Sequence, residues 1–323
     1  MPNQFSDLHR QQALISATDR TATSISVVIV NYNSREQLRN CLSSIQSESW
    51  GQVIVADSVS SDGSAEMVRQ DFPWVHLMLC PQNNGYGAAA NLAIASCASN
   101  YVLLLNSDTV LKPGTLQTLN KYLDQHLQVA VAGPQFVNAD GRHQLSCFEF
   151  PTPWQTLLQE TSLSRFLPLS AKSVQAAQPV PWVLGAALAI RRVAFDAVGG
   201  FDESFFMYFE EVDLCYRLKQ AGWQTHFIPE AVIMHIGGAS TKHHRAAMLQ
   251  RLYQSLCHFY RRHYTGREKL QLKFILTYLM FRNILKDTIR SLRSTMKEVA
   301  SDNLSVWRSI LTSVWSNDGW LKH

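Results

Sequence analysis

Ile25-Ser-Val-Val-Ile-Val30, followed at once by Asn31-Tyr-Asn-Ser34, decides how this chain is to be read. Six residues, nearly all β-branched and apolar, stop abruptly at polar ones. A run that short and that uniformly apolar suits a strand buried on both faces of a parallel sheet, whereas a half-exposed strand would alternate. Ser34 can then cap a helix reaching residue 45, whose Leu38, Leu42 and Ile45 share one face. The unit recurs along the chain. Strands are predicted over 53–56, 75–79, 101–105 and 129–132, and helices over 64–71, 87–99 and 113–126. Strands and helices alternating at this spacing predict an α/β fold with an open, mostly parallel sheet flanked by helices. Further on, the pattern gives a strand at 182–190, helices at 192–198 and 210–221, strands at 225–228 and 232–235, and helix from 243 onward.

Composition sets the outer bounds. The chain has 323 residues, 46% of them hydrophobic, enough for one large or two modest domains. The formal charge of +4 conceals a split. Residues 1–241 hold 14 Lys and Arg against 20 Asp and Glu, a net of −6, while residues 242–323 hold 15 against 5, a net of +10. Parts so different in sign are expected to meet different partners. The six cysteines are scattered, four of them inside apolar runs, which predicts buried free thiols in a reducing compartment. Residues 1–24 form a polar leader, predicted to be disordered and without the apolar core of a signal peptide. The longest apolar run is about eight residues, at 274–281, where a spanning helix needs about 20. The expected location is the cytoplasm, with peripheral contact at the inner face of the plasma membrane left open.

Ligands of an open parallel sheet sit at the carboxyl ends of its strands. The polar clusters fall there: Asn31-Tyr-Asn33, Asp57-Ser-Val-Ser-Ser-Asp62, Asn83-Asn-Gly-Tyr-Gly87 and Asn106-Ser-Asp108. Asp57 at a strand end can accept hydrogen bonds from a base or ribose, and the glycine that follows permits a tight turn. Asp108 can hold a divalent cation against a diphosphate, because Mg²⁺ favours one or two carboxylates plus phosphate oxygens. Either carboxylate, taken alone, is also explained by an ordinary capped turn. Two of them at neighbouring strand ends on one rim are harder to explain that way. Glu210-Glu211-Val-Asp213 opens a helix after the aromatic run 205–209. Acids suit a helix N-terminus in any case, yet Glu211 becomes a general base if that helix start points into the cleft, with the aromatics raising its pKa. His235 ends a strand before two glycines, where an imidazole can complete a metal site or serve the fold alone.

Taken in order, these stretches resemble glycosyltransferase family 2, especially its bacterial rhamnosyltransferase-like branch. The resemblance rests on Val27-Val-Ile-Val-Asn-Tyr-Asn-Ser34, Asp57 with Ser60-Ser-Asp-Gly-Ser64, Asn84-Gly-Tyr-Gly-Ala88 with Asn91, and Leu104-Leu-Asn-Ser-Asp-Thr109. It continues through Gly185-Ala186, Gly199-Gly-Phe-Asp202, Phe209-Glu-Glu-Val-Asp-Leu214 and His235-Ile-Gly-Gly-Ala-Ser240. It covers about residues 25–241, which are expected to form the catalytic domain. The resemblance implies a GT-A fold, an inverting mechanism, a nucleotide-diphosphate sugar donor and a divalent cation, Mg²⁺ or Mn²⁺. It implies that Asn31, Asn33, Asp57, Asn84, Gly85, Asn106 and Gly185 line the donor, that Asp108 and His235 serve the metal, and that Glu211 and Asp213 belong to the catalytic motif. Three departures stand out. Ser58-Val59 replaces the commoner Asn-Ala, Asn106 replaces the first Asp of the metal motif, and Glu211 replaces Asp at the base position.

The implied reaction is transfer of a sugar, rhamnose from dTDP-rhamnose, to a saccharide or lipid-linked acceptor in surface polysaccharide synthesis. A UDP-hexose or UDP-hexosamine donor on the same fold is one alternative, and a catalytically silent carbohydrate-binding or scaffold protein is another. The stretch 135–181, rich in proline and aromatics, reads as a β-hairpin with a mobile insert near the acceptor. In the tail, 242–323, Arg282, Lys286, Arg290, Arg293 and Lys297 form one stripe of a helix. Phe281, Leu285, Ile289, Leu292, Met296 and Val299 form another beside it, with Asp287, Ser294 and Glu298 opposite. Together with Trp307, Trp315 and Trp320, such a helix fits an anionic lipid surface, the catalytic domain or a second subunit. Nucleic acid is not expected, because no nucleic-acid motif accompanies the charge.

Overall fold

In the computed structural model, which describes residues 25–159, 176–237, 245–291 and 297–315, the opening apolar run forms β1 (Ser26–Asn31). It is buried along its whole length and pairs in parallel with β2 (Val53–Asp57) on one side and β4 (Tyr101–Asn106) on the other. β3 (His76–Leu79) lies outside β2. Beyond β4 come β10 (Ala187–Arg191), β6 (Val129–Val137), β11 (Gln224–His235) and β5 (Thr109–Leu111), with β8 (Gln178–Val180) also on β11. β10 is antiparallel to both its neighbours, and β5 and β8 are antiparallel to β11. The other six strands share one direction, so the sheet is mostly parallel as expected.

Helices cover both faces. α1 (Arg35–Ile45), α2 (Ser64–Asp71) and α4 (Thr115–Gln125) bury Leu38, Leu42, Met67, Leu116 and Leu119 on one side. α3 (Tyr86–Ala95), α6 (Arg192–Ala197) and α7 (Glu210–Gln220) bury Ala90, Ile94, Phe195, Leu214 and Leu218 on the other. Each large aliphatic chain so buried contributes about 1.5–3 kcal/mol. Consecutive arginines at the β10–α6 junction serve the two layers. Arg191 donates to the carbonyls of Leu123 and His126 at the end of α4, and Arg192 to those of Ile94 and Cys97 at the end of α3. Carbonyls left over at two helix ends are thereby satisfied. All six cysteines are buried and free, and burial pushes the Cys41 and Cys215 thiols up to about 12.

The structure departs from the sequence reading at three strands. The run 182–190 is not one strand. β9 (Trp182–Val183) pairs outside the main sheet with β7 (Cys147–Phe148), the chain turns through Leu184-Gly185-Ala186, and only then does β10 begin. The runs 225–228 and 232–235 are one strand, with an irregular register between Ile228 and Val232 where Pro229 has no N–H to give the ladder. β5, only three residues long, carries no pattern that a sequence could show.

The chain divides into two compact units. The first, Met1–Phe150, Ser170–Phe206 and Glu210–Ala239, holds the sheet and its helices. The second takes Pro151–Leu169, Met207–Phe209 and Ser240–His323, and comprises α5 (Pro153–Gln159), α8 (Arg245–His263), α9 (Gly266–Ser291) and α10 (Lys297–Trp315). Within it, Tyr264 donates to the Pro151 carbonyl and Ser255 to that of Met207.

The expected two-striped helix over 282–299 is corrected here. α9 ends at Ser291, and α10 runs back antiparallel along it, with Trp307 donating to Asp287 and Trp315 to Thr277. The packed face of α9 is Leu272, Leu276, Leu279, Met280 and Asp287, so Asp287 is buried rather than turned to solvent. Trp307 is buried as well, whereas Trp315 is 47% exposed. Residues 1–24, 160–175, 292–296 and Trp320 lie outside the described residues, which leaves the leader, the insert, Arg293, Leu292, Ser294 and Met296 without a structural account; the side chains of Lys297, Glu298 and Val299 are likewise not described.

Candidate active site

Shared strand direction brings the polar clusters to one rim. β1 ends at Asn31, β2 at Asp57, β4 at Asn106 and β11 at His235. β10 runs the other way, so its start delivers Gly185 and Ala186 to the same edge, and the Ala186 carbonyl accepts the N–H of Asn106.

The first cluster is built on Asp57. Its carboxylate is buried and accepts a hydrogen bond from Asn31 Nδ2 at 2.8 Å and from the Ser60 N–H at 2.9 Å. Asn31 Nδ2 also donates to Ser60 Oγ, which accepts the Asn33 N–H as well. Asn33, with φ of +48°, accepts the Ser61 N–H at 2.8 Å. These bonds weld the ends of β1 and β2 into one loop pair, and Asn31 Oδ1 is left buried with no partner of its own. Val59, where the family pattern has alanine, stands at φ +64°. A β-branched residue is strained there, at about 1–3 kcal/mol. Below the loops, Asp62 accepts the N–H and hydroxyl of Ser64 and the N–H of Arg35. Burial opposes its ionisation, but these bonds win and hold it below the usual carboxylate range.

Asn84 is exposed at the same edge, and the next residue must be glycine. Gly85 has φ of +100°, and a Cβ there would meet the Phe206 carbonyl oxygen at 2.3 Å. That close approach lets the Tyr86 N–H donate to Phe206 at 2.9 Å.

The second cluster is Asp108 and His235. Asp108 Oδ1 lies 3.6 Å from His235 Nε2, both side chains less than a fifth exposed. Gln144 fixes the imidazole. Its Nε2 donates to Asn138 Oδ1 and to the His235 carbonyl, each at 2.6 Å, so its Oε1 is what faces His235 Nδ1 at 3.1 Å. Nδ1 therefore carries a proton, and Nε2 is the ring nitrogen that faces Asp108. A carboxylate beside an imidazole that is fixed by an amide is a partial donor set of the kind a divalent transition-metal ion such as Mn²⁺ accepts, with oxygen ligands still to be supplied from elsewhere. Among the described residues, no group of three His, Cys, Asp or Glu side chains stands close enough to hold an ion unaided.

The third cluster opens α7. Burial raises the Glu210 carboxyl well above the usual carboxylate range, helped by the neighbouring Glu211 charge, and burial raises Glu211 too. The Glu211 carboxylate accepts the backbone N–H of Gly185, and a Cβ on Gly185 would stand 3.1 Å from its Cδ. Glu211 Oε2 is buried and has no hydrogen-bond partner. Asp213, two residues on, is placed differently. It is fully buried and bound to Arg217 at 2.6 Å, and Arg217 donates on to the carbonyls of Val198 and Gly200. Its part is to hold the Gly199-Gly200 turn.

Sequence reasoning overlooked Tyr86 and Gln144. Tyr86 donates to the Gly185 carbonyl at 3.4 Å. Burial, then the charges of Glu210, Glu211 and Asp108, push its phenol well above its usual value. It stood inside a quoted motif as a tyrosine between two glycines. Gln144 lies in the loosened stretch after β6, where no periodicity marks it.

Known proteins resemble this chain along most of its length. A family profile described as "Glycosyltransferase like family 2" matches residues 22–254. The chain is 29% identical over 310 residues to an N-acetylglucosaminyl-diphospho-decaprenol L-rhamnosyltransferase of Mycobacterium tuberculosis, covering 84% of this chain and 97% of that one. It is 28% identical over 159 residues to the rhamnosyltransferase WbbL of Escherichia coli, covering 47% of this chain and 60% of that one. Among solved structures, a mannosyltransferase from Pyrobaculum calidifontis, in complex with GDP-Man and Mn²⁺, superposes with a TM-score of 0.56 at 15% identity. That likeness covers 97% of this chain and 95% of the mannosyltransferase, and it bears on the fold alone. The fold is GT-A, and the chain belongs to the glycosyltransferase-like family 2.

Proposed function

We propose that this glycosyltransferase is an inverting, metal-dependent rhamnosyltransferase. In this reading it moves rhamnose from dTDP-rhamnose to a saccharide or lipid-linked acceptor in surface polysaccharide synthesis. The observation that carries the reading is the meeting, on one rim, of the Asp57 cluster, the Asp108–His235 pair and the unpartnered Glu211 oxygen. The rhamnosyltransferase choice is supported by the two relatives named above.

Asn31, Asn33, Asp57 and Ser60 bind the nucleoside, with Asn31 holding the Asp57 carboxylate in place. Asn84, Gly85 and Asn106 complete the donor edge. Asp108 and His235 would hold the divalent cation, which supplies positive charge against the diphosphate. Glu211, held by the Gly185 N–H, turns its free oxygen to the acceptor and takes the hydroxyl proton. The acceptor oxygen then bonds to the anomeric carbon as the bond from that carbon to the diphosphate breaks, and the nucleoside diphosphate departs. A single displacement of this kind inverts the anomeric centre. The desolvated setting keeps Glu211 basic enough for the task.

Thermal-shift screening against dTDP-, UDP- and GDP-sugars with Mn²⁺ tests the donor, and transfer to a polyprenyl-diphosphate-linked sugar tests the reaction. dTDP-rhamnose is expected to stabilise the protein and to be consumed. Stabilisation by a UDP-sugar alone would replace the donor. Absence of both transfer and donor hydrolysis with every sugar would remove the transferase reading in favour of a silent binding protein.

A further inference from the structure

α9 is apolar on two opposite faces, and only one of them is covered. Leu272, Leu276, Leu279 and Met280 pack inside the second unit. On the far side Leu270, Phe274, Tyr278, Phe281, Leu285 and Ile289 follow one another at steps of three and four, each between 50% and 63% exposed. That spacing lays them along one face about 28 Å long. Six large apolar chains in one unbroken exposed row exceed what a soluble surface ordinarily carries without a partner.

Charge says what that partner is. At 3.6 residues per turn, Arg282 and Lys286 edge the row on one side and Lys273 on the other. The helix holds only two acids. Glu268 is engaged at the helix start by the N–H and hydroxyl of Thr265, and Asp287 is buried against Trp307. Trp315 adjoins the row, its ring edge-on to Phe274 at 6.0 Å, under the Lys273 ammonium at 5.5 Å, and bonded to Thr277. Phe, Tyr and Trp flanked by cations are the side chains that settle at the headgroup level of a bilayer. A second copy of the chain is the poorer occupant, because two such rows face to face would oppose cation to cation with no acid between them. Among the described residues, no helix is long and apolar enough to cross a membrane, so the helix would lie in the surface.

We infer that the exposed row of α9, with Trp315 at its side, docks the protein on an anionic lipid surface, the helix lying in the plane of the headgroups. This goes beyond the transferase reading and stands apart from it.

Vesicle flotation of the full chain tests the inference, using phosphatidylcholine vesicles with and without phosphatidylglycerol. The protein is expected to float with the anionic vesicles and to be released by salt. The double variant Phe281→Asp/Leu285→Asp should lose partitioning at least about tenfold, and Arg282→Glu/Lys286→Glu about as much on anionic vesicles alone. Phe281, Leu285 and Lys286 are exposed and Arg282 partly so, and donor-induced thermal shifts should match the parent and report an intact fold. Failure of the parent to float, or flotation unchanged in the apolar variant, would overturn the inference. So would a parent dimer in light scattering that Phe281→Asp/Leu285→Asp converts to monomer, since the row would then be a subunit interface.

Discussion

His235 turns its Nε2 toward Asp108 across 3.6 Å. The gap is longer than a hydrogen bond, and the orientation is set from behind by Gln144. Replacing Asp108 by Asn keeps the shape and removes the charge. Transfer is then expected to fall at least about 100-fold, and Mn²⁺ affinity, read by paramagnetic resonance, should drop with it. Chelation of the parent should abolish transfer and added Mn²⁺ should restore it. Unchanged transfer in Asp108→Asn would remove the pair from the metal site.

Gln144 touches no substrate in this scheme, so its loss should read out through the imidazole. Gln144→Ala frees the ring and its tautomer. Mn²⁺ affinity should fall about 10–100-fold, with the donor's nucleoside affinity, measured with the free nucleoside monophosphate, unaltered. Gln144→Glu, which can still accept from Nδ1, should recover part of the loss. An equal affinity in Gln144→Ala and the parent would show that the amide serves the fold only.

For Glu211 the sign of the pH response follows from burial. The base works ionised, and burial holds its carboxyl above the ordinary 4.5. The rate should therefore fall as pH drops through a value above that of a free glutamate, with full activity on the alkaline side. Glu211→Gln should retain donor binding while transfer falls about 10²–10⁴-fold, and its residual rate should lose the acid limb. A variant that still transfers at the parent rate would sink the assignment of the base.

Gly185 is a further control on the same carboxylate. Gly185→Ala places a methyl 3.1 Å from Glu211 Cδ and Oε1, and the carboxylate must shift by some tenths of an ångström. Misplacement of a reacting group on the ångström scale costs about 100-fold. The turnover rate should fall by about tenfold or more while donor affinity stays within about twofold. A loss of donor affinity instead would mean that Gly185 serves the sugar directly.

Much of this was legible because the sheet imposes strong local rules. A strand buried on both faces must be apolar throughout, so β1 and β4 announced themselves, and the polar residues that stop them marked the rim. Three-dimensional relations were not legible. Nothing in Trp182–Val183 and Ala187–Arg191 signals that the first pairs outside the main sheet and the second runs against its neighbours, since pairing partners lie more than 30 residues away. The resemblance sets Asp213 beside Glu211 in one catalytic motif. Two positions along a helix turn by about 200°, which sends Asp213 inward to Arg217. Gln144 acts through an amide in an aperiodic stretch, where residue type alone carries no message. In the tail, the two stripes were visible but not the direction of packing, because α9 is apolar on both sides and only the return of α10 decides which side closes.

The six buried thiols described with the core have a practical consequence. Cys41 lies on α1 and Cys215 on α7, and Cys257 lies on α8 in the second unit. Burial holds all three protonated at neutral pH, so an alkylating reagent meets no thiolate in the native protein. The folded chain should stay unmodified on exposure to iodoacetamide, and denaturant should release six reactive groups. Mass-resolved labelling at increasing denaturant would time the opening of each layer without any introduced probe. Modification of Cys41 or Cys215 in the native state, at the rate of a free cysteine, would contradict the packing. With the six native thiols silent, an engineered surface cysteine would be the only reactive one, which suits the chain to site-specific fluorophores.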